Sequence, residues 1–258
     1  MMDHFHHRGG QRPREDDRLD FGYHWAWTYG YFAPLALALA LLAGAWRFGA
    51  PRWSLVVPAA VATWSLAGFL IARFVIRMNE PLKLPVEGFL AGGTGRVLDI
   101  GCGAGRTTLM VALARPQAKV VALDNFSAGY ISDHGAPHIM RNLVAAGVEG
   151  RVTIEKADML ALPFETGAFD AAVSSYAIDH LPQPRIPTAL AEVRRVLRPG
   201  GEFLLMVIVP NLSTTVAFSP FLHARMPGPR FWRAGLSVAG FEVASEGSSR
   251  GGHWFLAR

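Results

Sequence analysis

Polar and apolar positions divide the chain into three stretches. Residues 1–24 are polar and charged and predict a solvated tail. Trp25 to Trp46 then runs for 22 residues without a charge, about 33 Å if helical. Arg47 to Arg52 contains Gly49 and Pro51 and predicts a short turn. Trp53 to Ala72 is again free of charge, about 30 Å as a helix, until Arg73 and Arg77 close the run. Residues 25–77 therefore predict a helical hairpin, and 78–94 a linker helix. From Gly95 onward the pattern changes. Short apolar runs (RVLDI, KVVALD, RVTIEKAD, DAAVSSY, GEFLLMVIV) alternate with helical stretches such as TTLMVALAR, HIMRNLVAAGV and IPTALAEVRRVL. That alternation predicts an α/β domain over 95–258 built on a doubly wound, mostly parallel sheet.

The hairpin has the marks of two transmembrane helices. Trp25, Trp27, Tyr29 and Tyr31 gather at one end, Trp46 and Trp53 at the other, as interfacial aromatics do. Pro34 and Pro58 inside the runs are better tolerated in membrane helices than in soluble ones. Two other readings exist: a buried soluble hairpin, and a signal peptide cleaved near Ala43-Gly44-Ala45. A second charge-free run directly after the first argues against both. Arg8, Arg12, Arg14 and Arg18 precede the hairpin and Arg73, Arg77 and Lys83 follow it, against only Arg47 and Arg52 in the turn. This bias places both termini, and the α/β domain with them, in the cytoplasm of an integral membrane protein with two spans.

Composition adds limits. The chain has 258 residues, 51% hydrophobic and 17% charged, which excludes intrinsic disorder as a whole. The net charge is +5, and of 25 basic residues only Lys83, Lys119 and Lys156 are lysine. The arginine excess fits either a bias of the source genome or attraction to anionic headgroups. No dense basic stretch points to nucleic acid. Cys102 is the single cysteine, so no internal disulfide and no multi-cysteine metal site can form. His4, His6 and His7 in the tail, and His134 and His138 in SDHGAPH, are weak metal candidates, and no metal is expected.

Chemistry concentrates at strand ends. In Val97–Gly105 (VLDIGCGAG) a strand ends in Asp99, glycines alternate at 101, 103 and 105, and a helix follows. Glycines admit a ligand close to the backbone, and the topology puts that ligand at the carboxyl ends of the strands. A dinucleotide fingerprint needs Gly or Ala where Arg106 stands. A carboxylate beside a pyrophosphate is also repulsive, by roughly 4 kcal/mol at 4 Å and an effective dielectric near 20. A ligand bearing an ammonium and a sulfonium, as S-adenosylmethionine does, matches Asp99 in sign. Asp124, at the end of VVALD, can take both ribose hydroxyls through its two oxygens. Asn125 follows it and could shape the adenine side. Asp158 ends a third strand and can accept from an exocyclic amine.

The segments VLDIGCGAGR, ALDNFS, KADMLALPF, FDAAVSSYAIDHL and VLRPGGEF, in this order and spacing, resemble class I S-adenosylmethionine-dependent methyltransferases. The likeness is greatest to the small-molecule group that includes the quinone-biosynthesis enzymes, and it covers residues 95–258. It implies a seven-stranded Rossmann-like sheet with a reversed final hairpin. It also implies Asp99 and Gly101 near the methionine part of the cofactor, Asp124 on the ribose, and Asp158 with the Met159 backbone on adenine; Cys102, Gly103, Gly105, Asn125 and Ser174 complete the expected cofactor site. The hairpin is no part of that resemblance.

Tyr176 and His180 follow the fourth strand, whose end faces the methyl group in such a fold. His180 is the candidate base, since histidine suits proton removal near neutral pH. Tyr176 is the candidate for lining or polarising the acceptor. Pro210–Arg230 is an apolar and basic insertion, read as a lid or membrane-dipping loop through Phe218, Phe221 and Leu222, with Arg225 and Arg230 at headgroups. A hairpin holding the site against a bilayer points to a small lipophilic acceptor. The competing readings are a membrane scaffold that binds the cofactor without turnover and a nicotinamide-dependent oxidoreductase.

Overall fold

The computed structural model describes residues 19–127, 135–218, 226–249 and 251–258. The candidates His4, His6, His7, His134, Phe221, Leu222 and Arg225, and the arginines at 8, 12, 14 and 18, lie outside them.

Seven strands form one sheet: β1 (Thr94–Ile100), β2 (Gln117–Asp124), β3 (Val152–Lys156), β4 (Phe169–Ser175), β5 (Leu197–Ile208), β6 (Val243–Ser249) and β7 (Gly252–Ala257). Their order is β3-β2-β1-β4-β5-β7-β6. The first five run parallel, and β7 is antiparallel to both β5 and β6. This is the doubly wound sheet with a reversed final hairpin expected from the sequence. The central strands β1, β4 and β5 end in buried apolar runs because helices cover both faces. Leu98 and Ile100 of β1 enter one core with Trp232, Phe203 and Leu190, while Val97 enters the other with Leu109, Ile139 and Phe89. The period of two along the strand makes that division. Order reverses between β1 and β4, so a crevice opens at the carboxyl ends of these two strands.

Two helices of the N-terminal hairpin, α1 (Phe32–Arg47) and α2 (Val56–Leu70), lie against each other. With their flanking turns, Ala26–Arg47 and Arg52–Ile76 are long and apolar enough to cross a membrane by length and composition. They are not core helices of the domain. Leu39 is 53% exposed, Trp46 83% and Trp53 76%, whereas the buried positions of α1 and α2 are the small residues Ala38, Ser65 and Gly68. A Cβ on Gly68 would lie 2.4 Å from Cε1 of Tyr31, so only glycine lets that ring pack into the seam. Pro34 and Pro58 both stand third in their helices, in the first turn, where a missing N–H costs least.

Two segments differ from the sequence reading. Residues 78–94 form turns, not a linker helix; Pro81, Pro85, Gly92 and Gly93 interrupt any helical register. Arg115 ties this segment down through the carbonyls of Glu87 and Phe89, at 2.5 and 2.7 Å from Nη2. Residues 19–24 are not a solvated tail. Phe21 is 1% exposed. The carbonyl of Asp20 accepts from Asn142 Nδ2 at 2.5 Å and lies 2.7 Å from His138 Nε2. Tyr23 and Asn79 exchange two hydrogen bonds, at 3.0 and 3.3 Å.

Candidate active site

The loop between β1 and α3 (Arg106–Ala114) builds the first wall. Gly101, Gly103 and Gly105 have φ of +78°, +51° and +88°, values that L side chains resist. A Cβ on Gly101 would sit 2.2 Å from the Ala177 methyl. The amides of Gly101 and Cys102 donate to the Leu123 carbonyl at 2.8 and 3.1 Å. That of Gly103 donates to Asp124 Oδ2 at 2.8 Å. The loop thereby closes one side of a cavity of about 270 Å³, which Gly101, Cys102, Gly103, Asp124, Asn125 and Met159 all line. Gly105 starts the helix. Burial pushes the Cys102 thiol well up, so it is an inert wall.

The acids do not all stand where the sequence reading put them. Asp124 reaches the cavity, with Oδ1 and Oδ2 also accepting from Phe126 and Gly103. Each oxygen keeps a second acceptor position. Asp158 is exposed, accepts from the Leu160 amide at 2.9 Å, and does not line the cavity; its neighbour Met159 does. Asp99 lies beneath the loop, fully buried and behind the cavity wall. Its Oδ2 accepts from the Thr108 hydroxyl at 2.6 Å, and its buried Oδ1 has no partner. Burial raises its pKa to about 7. The picture of Asp99 openly facing a ligand is thus replaced by a half-satisfied carboxyl under the glycines. Ser174 points away from the cavity and donates to the Ile100 carbonyl at 2.9 Å. Ser175 faces the site instead, its buried Oγ without a partner. Strand alternation makes that choice, and the candidate was one residue off.

A second cavity of about 370 Å³ adjoins the first. Tyr23, Leu82, Arg106, Tyr176 and His180 line both. Trp27, Ile76 and Met78 bring the hairpin and its exit into its wall, and Ile208, Thr214 and Phe218 bring the end of β5 and helix α4 (Leu212–Phe218). The insertion therefore packs on the hairpin in its described part. The Trp64 indole donates to the Val216 carbonyl at 2.9 Å, and the Tyr31 hydroxyl to that of Ala217. Tyr176 adopts φ +54°, a strained value for a tyrosine. A Cβ on residue 252 would lie 2.6 Å from its hydroxyl oxygen. Gly252 thus lets the phenol lie against β7 between the two spaces.

Several lining residues escaped the sequence reading. Phe21 and Tyr23 cap the first cavity; their alternation with Leu19 in LDFGY was the signal. Arg106 donates to the carbonyls of Glu80 and Arg77, at 2.8 and 2.9 Å, and fastens the end of the hairpin to the glycine loop. His138 is buried, its Nε2 2.7 Å from the Asp20 carbonyl. Among the described residues no cluster of His, Cys, Asp and Glu could hold a metal.

Residues 97–201 match the family model described as "Methyltransferase domain". A demethylmenaquinone methyltransferase of Thermus thermophilus is 34% identical over 181 residues, 58% of this chain and 76% of the relative. The chain belongs to the class I S-adenosylmethionine-dependent methyltransferases. A ubiquinone/menaquinone biosynthesis C-methyltransferase of Syntrophotalea carbinolica is 33% identical over 120 residues, 44% of either chain. The methyltransferase spans about half the length of the first three such curated relatives. A solved S-adenosylmethionine-dependent methyltransferase of Methanosarcina mazei shares the fold, with a TM-score of 0.54 and 18% identity over 69% of this chain and 98% of its own. An O-methyltransferase of Planctomyces limnophilus does so with a TM-score of 0.53 and 21% identity, over 78% and 60%.

The first cavity fits the family's cofactor, S-adenosylmethionine. Gly101 and Gly103 cradle it, an acid that can grip a ribose stands at the end of β2, and a buried carboxyl oxygen waits unpaired below. The cofactor supplies a methyl group already activated on a sulfonium. The protein's task is alignment and exclusion of water, which can provide much of the acceleration. This also disposes of the nicotinamide reading.

Proposed function

We propose that this methyltransferase is anchored in a membrane by its hairpin, with its catalytic domain on the cytoplasmic side, and methylates a small lipophilic acceptor. The observation that carries the reading is the second cavity. Its walls come at once from the apolar hairpin (Trp27, Ile76) and from the strand-end residues Tyr176 and His180 that border the cofactor space. An acceptor leaving the bilayer along the hairpin meets the methyl group without crossing water. The apolar surface of α1 and α2, left exposed by the described residues, supports membrane insertion. The relatives named for ubiquinone and menaquinone biosynthesis support a quinone-like acceptor.

In this reading Gly101, Cys102, Gly103, Asn125 and Met159 shape the cofactor space and Asp124 holds the ribose. Asp158 reaches adenine by swinging inward, and Asp99 meets the ammonium from below. Gly105 and Ser174 brace the loop. His180 takes the acceptor's proton and Tyr176 fixes its ring.

The test is label transfer. Membranes containing the protein, given S-adenosylmethionine labelled in the methyl group, are extracted with organic solvent. Label in the lipid phase that Gly101→Ala abolishes supports the proposal. Label confined to water-soluble products refutes the lipophilic acceptor. No transfer to any fraction, with cofactor binding intact, favours the scaffold reading.

A further inference from the structure

The insertion after β5 meets the hairpin at a depth that helix geometry fixes. Between Glu202 and Arg225 no residue is Asp, Glu, Lys or Arg. Asn211 starts α4: its Oδ1 accepts from the Thr214 amide, and its own amide donates to Thr214 Oγ1, both at 3.0 Å. Its Nδ2 donates to the Gly251 carbonyl at 2.8 Å, and a Cβ on Gly251 would lie 3.7 Å from Cγ1 of Ile76. The helix therefore begins beside the exit of the hairpin. Its other end lies well along the two spans. The last carbonyls of a helix have no partner within it. Here the Trp64 indole donates to that of Val216 at 2.9 Å, and the Tyr31 hydroxyl to that of Ala217. The two donor rings stand edge to face, 6.0 Å between centroids. Tyr31 is 15 residues from Trp46, and Trp64 is 11 from Trp53, at the far turn. At the helical rise these are about 22 and 16 Å, against a hydrocarbon core about 30 Å thick.

We propose that α4 enters the cytoplasmic leaflet with its C-terminal end first, so that the catalytic domain is sunk into the bilayer and not suspended above it. The partner of this surface is the acyl chains of that leaflet. The proposal rests on the membrane-anchored reading and adds a third inserted element to the two spans. With Trp46 and Trp53 at the far boundary of the hydrocarbon, the carbonyls of Val216 and Ala217 lie about 8–14 Å inside the near one. At that depth no water reaches a carbonyl, and the protein must supply the donor. An indole and a phenol, both from the spans, do so. The hydroxyls of α4 are satisfied internally as well. Thr214 Oγ1 donates to the Val209 carbonyl at 2.9 Å, and Thr215 Oγ1 to that of Asn211 at 2.7 Å, the back-bonding by which such side chains enter membrane helices. The exposed apolar face of the second span (Trp64, Leu66, Leu70, Phe74) continues onto Leu212, which is 80% exposed. One apolar surface thus runs from the hairpin across the insertion.

The experiment uses the full chain in vesicles of phosphatidylcholine and phosphatidylglycerol. Cys102 is buried, so an environment-sensitive thiol dye reports on cysteines introduced one at a time. These are Val216→Cys and Leu212→Cys on α4, Leu39→Cys in the middle of the first span, and Val238→Cys, an exposed end position of the helix Pro229–Val238. Iodide in the water should quench the dye at 216 and at 39 at least about fivefold less than at 238, because an anion does not enter hydrocarbon. Doxyl groups placed along the acyl chains should quench at 216 and 212, with 216 the deeper of the two. Replacing both donors, Tyr31→Phe with Trp64→Phe, should raise iodide quenching at 216 at least about twofold as the uncapped carbonyls seek water. Binding of S-adenosylhomocysteine in each variant shows that the chain has folded, and Leu212→Cys carries the test if Val216→Cys loses it. Iodide access at 216 and 212 equal to that at 238, or no rise in the double variant, overturns the inserted α4; a shielded dye at 39 then leaves the anchored reading standing. Free access at 39 as well overturns both.

Discussion

Replacing Asp99 with Asn isolates the carboxyl under the glycine loop. The pKa of Asp99 is about 7 in the folded chain against an ordinary 3.8, about 3 units, worth about 4 kcal/mol. The sign follows from proton counts. Between about pH 4 and 7 the folded chain holds a proton that the unfolded chain has lost. Stability is therefore highest at low pH, falls as pH rises through that window, and is level above about pH 8. From pH 5 to 8.5 the expected loss is about 2–3 kcal/mol. Asn cannot ionise, keeps an acceptor for Thr108, and places an unpaired NH₂ where Oδ1 was, a cost of about 1–3 kcal/mol that does not vary with pH. The assay is thermal unfolding of the detergent-solubilised protein at both pH values. The gap between Asp99→Asn and wild type should shift in favour of Asn by about 5–10 °C from pH 5 to 8.5. A cationic ligand that pairs with Oδ1 also favours ionised Asp99. Wild-type affinity for S-adenosylmethionine should then tighten about tenfold per unit from pH 5.5 toward 7, and that of the Asn variant should not. Parallel pH profiles for the two proteins would refute the reasoning.

Other expectations follow from single contacts. Gly101→Ala puts a methyl 2.2 Å from the Ala177 side chain at φ +78°; cofactor affinity measured by calorimetry should fall at least about tenfold, the loop having to shift by more than a rotamer. Arg106→Ala removes the hydrogen bonds to the Arg77 and Glu80 carbonyls from a buried guanidinium and should destabilise by about 2–4 kcal/mol in thermal unfolding, with proteolysis newly favoured near residues 77–80. Leu39→Arg places a charge on the exposed middle of α1; membrane insertion should weaken by about 2.5–3.5 kcal/mol, read by alkaline extraction.

The parallel part of the sheet was legible because runs such as VVALD and VLDIG stay apolar up to an acid or a turn; its final reversal was legible only through the family resemblance. The glycine loop was legible for the same reason: positive φ needs glycine, and three of them alternate after a strand. Side-chain direction was not. Ser174 and Ser175 are adjacent and chemically identical, and only the register of β4 decides that the second faces the cavity. Asp99 reads as a ligand contact until the loop is seen to fold over it. The strap of Phe21 and Tyr23 was masked by its charged surroundings, since average polarity hides three apolar residues in alternation. Arg106 was read only for what it excluded. Its bonds to Arg77 and Glu80 depend on where a hairpin exit lands after folding, which local pattern does not encode.

The central claim is that a lipid-phase molecule receives the methyl group. Mass spectrometry of host membrane lipids tests it directly, comparing cells that lack the protein with cells that express it or its Gly101→Ala form. The account predicts a lipid that is heavier by one methylene only when the intact protein is present, with its lighter precursor accumulating otherwise. Identical lipid profiles in all three, alongside a methylated product in the aqueous fraction of the first expressing strain, would contradict it.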